Sequence, residues 1–157
     1  MSKGQGSTEY LVILAVVLVV ALIVIGLLGQ FTGFGTAGLE QQSRAYWQGT
    51  SPFSIQNAKV VNTSTAPFIT LEVQNKLSQK LTLTDVQFDG VSINSSLGNV
   101  VFSPGSSVVV YGSNMTPCNG SATGAAYQVN KVTFVYDVGG ITGQTQTGDK
   151  ALYGKCS

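Results

Sequence analysis

The chain contains no histidine in 157 residues, and charged side chains make up only 10% of it, eight basic and seven acidic. Without histidine the commonest general acid–base group and the commonest neutral metal ligand are both missing. The shortage of charge is as informative, because globular domains carry roughly 25% charged residues. A formal net charge of +1 with no basic cluster removes the electrostatic attraction on which nucleic-acid binding depends, so nucleic acid is excluded as a partner. The carboxylates are scattered and form no dyad, so an enzyme is not expected, and no cofactor is implied. Two cysteines, Cys118 and Cys156, stand far apart, and without histidine they cannot complete a tetrahedral metal shell. Polarity is supplied instead by neutral residues, among them 19 glycines.

Apolar residues are unevenly spread. From Leu11 to Leu28, "LVILAVVLVVALIVIGLL", no side chain is charged or strongly polar. At about 1.5 Å per residue this run makes a helix roughly 27 Å long, against roughly 30 Å of bilayer hydrocarbon. A secretory h-region is shorter, about 7 to 15 residues, and ends at a small-residue cleavage site; here that reading would need a cut after Gly38. A plain N-terminal anchor is the other alternative. Lys3 precedes the run and the next positive residue after it is Arg44, so the positive-inside rule puts the N-terminus in the cytoplasm and the remainder outside.

Directly before the run stands Lys3-Gly4-Gln5-Gly6-Ser7-Thr8-Glu9-Tyr10. Joined to the apolar stretch, it resembles the processing region of archaeal type IV pilins with a class III signal. The resemblance implies that a prepilin peptidase cuts between Gly4 and Gln5, ahead of the helix, so that residues 1–4 are removed and the apolar run is retained. Gln5, Ser7 and Glu9 match the family's Gln-x-Ser-x-Glu pattern, and Ile13 stands where the pattern usually has leucine. The implied partners are the peptidase, an assembly platform, the cytoplasmic membrane before assembly, and further copies of the chain in a helical homopolymer.

The carboxylate of Glu9 needs a physical account. At the hydrocarbon boundary it costs less than the roughly 2.5 to 3.5 kcal/mol of a charge at a helix centre. Placed in the first helical turn, it would also be favoured by the macrodipole. In a filament core it would need a partner, which the resemblance suggests is the mature N-terminal amine of a neighbouring or the same chain. Capping of a simple membrane anchor is the alternative role.

Gly29, Gly33 and Ala37 recur every four residues, a spacing that puts small residues on one helix face and suits close helix packing. Against this, each glycine costs about 1 kcal/mol in a helix, so a melted stretch between Gly29 and Gly38 is the competing expectation. Leu39 to Trp47 reads as helix again until Gly49 and Pro52 end it, with Tyr46 and Trp47 placed to pack against the C-terminal domain.

Beyond Pro52 the pattern becomes strand-like. Candidate strands are 53–61, 68–74, 80–88, 100–103, 107–111, 128–138, 141–147 and 151–156. Ile69, Leu71 and Val73 share one face, with Thr70, Glu72 and Gln74 on the other. Leu81 and Leu83 differ in parity from Val86 and Phe88, so a bulge near Thr84-Asp85 is needed to bury all four. Asp89-Gly90 and Gly139-Gly140 signal tight turns. The expected fold class is α+β: a long N-terminal hydrophobic helix followed by an antiparallel, immunoglobulin-like β-sandwich.

Both cysteines fall in the outside part, where a Cys118–Cys156 disulfide is expected and two buried free thiols are the alternative. Asn62, Asn94, Asn114 and Asn119 each open an Asn-x-Ser/Thr sequon, making glycans candidate partners. The expected organisation is a leader at 1–4, a membrane and filament helix at 5–50 and a head at 51–157. The expected function is a structural pilus subunit in a surface filament for adhesion or attachment. A membrane-anchored surface adhesin and an archaeal flagellin are the alternatives.

Overall fold

The computed structural model describes residues 5–62, 67–93, 98–113, 118 and 122–157, the side chains of 5, 7 and 27–36 excepted, and among the described residues these periodicities translate into one helix and ten strands. By backbone contacts the chain divides into two compact units, 1–38 and 39–157. Helix α1 (Gln5–Gly49) supplies all the described structure of the first unit and opens the second.

In the second unit the strands are β1 (Phe53–Val61), β2 (Phe68–Asn75), β3 (Leu81–Phe88), β4 (Val91–Ser92), β5 (Val100–Phe102), β6 (Ser107–Gly112), β7 (Ala126–Val129), β8 (Val132–Val138), β9 (Ile141–Thr147) and β10 (Leu152–Lys155). One sheet has the order β1-β2-β6. The other has the order β4-β3-β8-β9, with β5 also on β3. All of these pairings are antiparallel. β7 and β10 form a separate ribbon, joined to β1 by a single parallel bridge from Val60 to Cys156. An N-terminal apolar helix followed by a mostly antiparallel β-sheet domain makes the chain α+β, as expected.

The two sheets face each other across aromatic residues. Phe53, the first residue of β1, lies with its ring 5.2 Å from Phe102, 5.4 Å from Phe134 and 5.3 Å from Tyr136. Side-chain parity explains why the sheets close. Ile69, Leu71 and Val73 of β2 are fully buried while Thr70, Glu72 and Gln74 are only partly covered. On β3 the register against β8 shifts between Leu83 and Asp85, so that Thr84 is the extra residue and Leu81, Leu83, Val86 and Phe88 all turn inward. The Thr84 hydroxyl donates to the Val135 carbonyl at 2.9 Å, using the polarity of the bulged residue. Asp89-Gly90 and Gly139-Gly140 have positive φ at both positions, the geometry of a tight hairpin turn.

Two elements differ from the sequence reading. The segment 128–138, expected as one strand, is split at Asn130-Lys131 into β7 and β8, which belong to different sheets. The Asp89 carboxylate holds the break by accepting from the Asn130 and Lys131 amides at 3.3 and 2.8 Å. Strand β4 has no counterpart among the expected strands. It is the short return of the Asp89-Gly90 turn, with Val91 opposite Phe88.

Candidate processing and assembly helix

Helix α1 is continuous from Gln5 to Gly49, so the backbone through Gly29, Gly33 and Ala37 is helical and not melted. Glu9 is the fifth described residue of α1 and lies beyond the first described turn, which carries no acidic residue. This corrects the expected macrodipole contribution, which fades beyond the first turn. Glu9 and Tyr10 are exposed, as is Ile13 at the departure from the leucine pattern.

Thr8–Gly26 is a stretch of 19 residues with mean hydropathy 2.9 and 0% of it buried. Leu11 is 59% exposed and Ile25 65%. Apolar residues cover every side of this segment and not one stripe of it, so no single contact with a soluble head could satisfy it. Such a surface suits lipid, or other helices, around it.

The other end of α1, Leu39–Gly49, belongs to the second unit and is bound there by side chains that substitute for strand partners. The Ser43 hydroxyl, buried, donates to the Ala151 carbonyl at 2.9 Å and accepts from the Tyr153 amide at 3.1 Å. The Tyr46 hydroxyl accepts from the Asp149 amide at 2.7 Å. Gln48 donates to the Gln56 carbonyl at 3.3 Å. Thr50 closes the end with bonds to the Trp47 and Phe53 carbonyls at 2.9 and 2.7 Å. Trp47 itself is fully buried, edge-on to Phe134 at 6.4 Å, and its Nε1 has no hydrogen-bond partner. Gly148 makes this possible, because a Cβ there would overlap Cη2 of Trp47.

A second ring-on-glycine contact lies beside it. Tyr127 on β7 lies across from Gly154 on β10, where a Cβ would come within 2.5 Å of the phenol oxygen. That oxygen is buried without a partner. Burial, reinforced by the Glu40 carboxylate and opposed by Arg44, pushes the Tyr127 phenol from 10.0 up to about 12. Glu40 and Arg44 pair one helical turn apart at 3.8 Å. They border a cleft of about 210 Å³ whose other walls are β1 and β10, including Gln56, Lys59 and Lys155.

Cys118 and Cys156 are joined as a disulfide with Cα atoms 5.8 Å apart, and both are buried. The bond lies where the chain end is tied to β1: Ser157 donates its amide to Val60 and accepts from the Asn62 amide, at 3.0 and 2.7 Å. The sequon asparagine Asn62 is therefore half-buried with its amide engaged. Asn94, Asn114 and Asn119 lie outside the described residues, as do Gly4 and the side chains of Gln5, Ser7, Gly29 and Gly33. Sequence reasoning placed Trp47 near the head but not its glycine seat, nor the role of Ser43, since neither has a local signature.

No curated protein matches the chain. Residues 2–28 match the family model described as Class III signal peptide. That interval holds the whole of the Lys3–Glu9 string and the apolar run through Leu28, the two features that would have to act together. The chain therefore carries, at its N-terminus, a class III signal peptide of the kind found in type IV pilin-like and flagellin-like prepilins.

Proposed function

We propose that this chain is a structural subunit of a type IV pilus, made as a membrane-held precursor and polymerised through its N-terminal helix into a surface filament. The signal supports a pilin- or archaellin-like secreted subunit, a structural class that is not typically enzymatic. The observation that carries the reading is the continuity of this signal with the apolar helical segment Thr8–Gly26, no part of which is buried. A segment that must be covered on all sides suits a lipid bilayer first and a bundle of like helices afterwards.

In this reading a prepilin peptidase removes residues 1–4 by cutting between Gly4 and Gln5. Residues 5–50 serve as membrane span and filament core, and 51–157 form the exposed head. Gly29, Gly33 and Ala37 let neighbouring helices approach. Glu9 pairs with the amine of a mature N-terminus, because an unpaired carboxylate in an apolar core costs several kcal/mol. Glycans on Asn62, Asn94, Asn114 or Asn119 would hydrate a surface that is poor in charge.

Mass spectrometry of the chain recovered from the cell surface tests the reading. The expected N-terminus is Gln5 or its pyroglutamate. Met1 would leave a plain anchor, and a terminus near Leu39 would mean ordinary secretion.

A further inference from the structure

The edges of the head's two sheets are defended unequally. A strand edge exposes a row of unpaired amides and carbonyls, and monomeric proteins blunt it with charge, proline, shortness or a cover. β1 carries Lys59 and is covered, since Gln48 caps its Gln56 carbonyl and the chain end bonds to Val60 and Asn62. β4 is two residues long. β6, "SVVVYG", and β9, "ITGQTQT", contain no charged residue and no proline, and among the described residues each pairs with a strand on one side only; β9 is bulged at Thr142-Gly143, where the Gly143 amide donates to Asp137, so its regular edge is Gln144–Thr147. Val109, Tyr111 and Ile141 on them are 45%, 57% and 60% exposed.

These two edges lie on opposite flanks of the sandwich. β9 is beside β1, to which Gln146 is hydrogen-bonded through Phe53. β6 is on the β4 side, where the Ser113 amide donates to the Ile93 carbonyl at 2.8 Å and Gly112 lies against the Ile93 side chain. That contact covers the end of β6, and among the described residues no strand pairs with Ser107–Tyr111 on that side.

We propose that β9 of one copy adds to β6 of the next, strand to strand, as a contact between neighbouring heads. The inference rests on the proposed polymer and extends it to the head. Two unlike edges on opposite flanks make a heterologous contact, which repeats without closing and so builds an open polymer. The occupant is a second copy because each copy brings both halves. An uncharged edge meets an uncharged edge, with no ion to desolvate and no like charges to oppose.

Hydrogen–deuterium exchange on the full chain, assembled and in detergent micelles, tests the contact. Peptides covering 141–147 and 107–111 are expected to exchange about tenfold more slowly on assembly, with central strand β2 unchanged. Thr145→Lys should weaken assembly, and adding Val109→Glu should recover part of it. Filaments in which neither edge gains protection would overturn the contact while leaving the pilus reading intact, and protection of β9 alone would replace it with a symmetric pairing. Should the chain form no filaments, the pilus reading fails separately. The same comparison between dilute and concentrated detergent-solubilised chain then decides the edge contact, equal exchange at both concentrations refuting it.

Discussion

The side-chain amide of Gln146 makes both hydrogen bonds that a neighbouring strand would make to Phe53. Its Oε1 accepts from the Phe53 amide and its Nε2 donates to the Phe53 carbonyl, each at 2.8 Å, across 93 residues of sequence. Phe53 is the ring around which Phe102, Phe134 and Tyr136 gather. One glutamine thus positions the first residue of β1 between the sheets. Gln146→Ala leaves a part-buried amide and carbonyl without that partner, and is expected to cost about 1 to 3 kcal/mol. Thermal or denaturant unfolding of the variant measures it, and Gln146→Glu should recover only the bond from the Phe53 amide.

The seat of Trp47 yields a second expectation. Gly148→Ala puts a methyl group into the indole, and overpacking of this kind typically costs about 1 to 3 kcal/mol. Coupling to Trp47→Phe should be visible in a double-mutant cycle, because the smaller ring relieves the clash. Additive losses would mean that the indole does not occupy this position.

Tyr127 predicts a response to alkali. Its folded pKa, about 12, lies above the ordinary value of 10.0 because burial disfavours the phenolate. A raised folded value means that the contribution to stability is complete below pH 10 and declines as pH rises from 10 towards 12. Tyr127→Phe removes both the titration and the unpartnered oxygen. It should flatten the loss of stability over that window, with little cost at neutral pH, as read from chemical denaturation at successive pH values.

The disulfide ties β10 and the chain end to Cys118, closing a separation of 38 residues. On the loop-entropy account this is worth roughly 4 kcal/mol. Cys118→Ser with Cys156→Ser should lower the unfolding midpoint, and local exchange at 152–157 should rise first, since Ser157 is what holds that end to Val60 and Asn62.

For Glu9 the expected outcome concerns assembly and not folding. Glu9→Ala protein should be made, inserted and cleaved but accumulate in the membrane with few or no filaments, and adding Ile13→Ala should do no better. Electron microscopy beside a membrane-fraction blot distinguishes this from a plain anchor, for which removing a boundary carboxylate leaves display unchanged. Abundant normal filaments would end the proposed pairing role.

Much of the fold is local and therefore legible in the sequence. The alternation Ile69-Leu71-Val73 determines which face of β2 is buried, because a strand has a period of two. The parity change between Leu83 and Val86 requires a bulge for the same reason, and Thr84 supplies it. Asp89-Gly90 and Gly139-Gly140 determine their turns through the freedom of the backbone at positive φ. The Lys3–Glu9 string and the apolar run determine the class of signal, since recognition and membrane insertion act on contiguous residues. Other features depend on residues brought together by the fold. The split at Asn130-Lys131 depends on a carboxylate at Asp89. The seats of Trp47 and Tyr127 depend on glycines at 148 and 154. The amide of Gln146 acts as a strand only because Phe53 lies beside it. A single polar side chain or a glycine has no periodicity to betray its partner, so these relationships were decided by tertiary packing, where an unfilled bond or a lost ångström of space carries a free-energy cost.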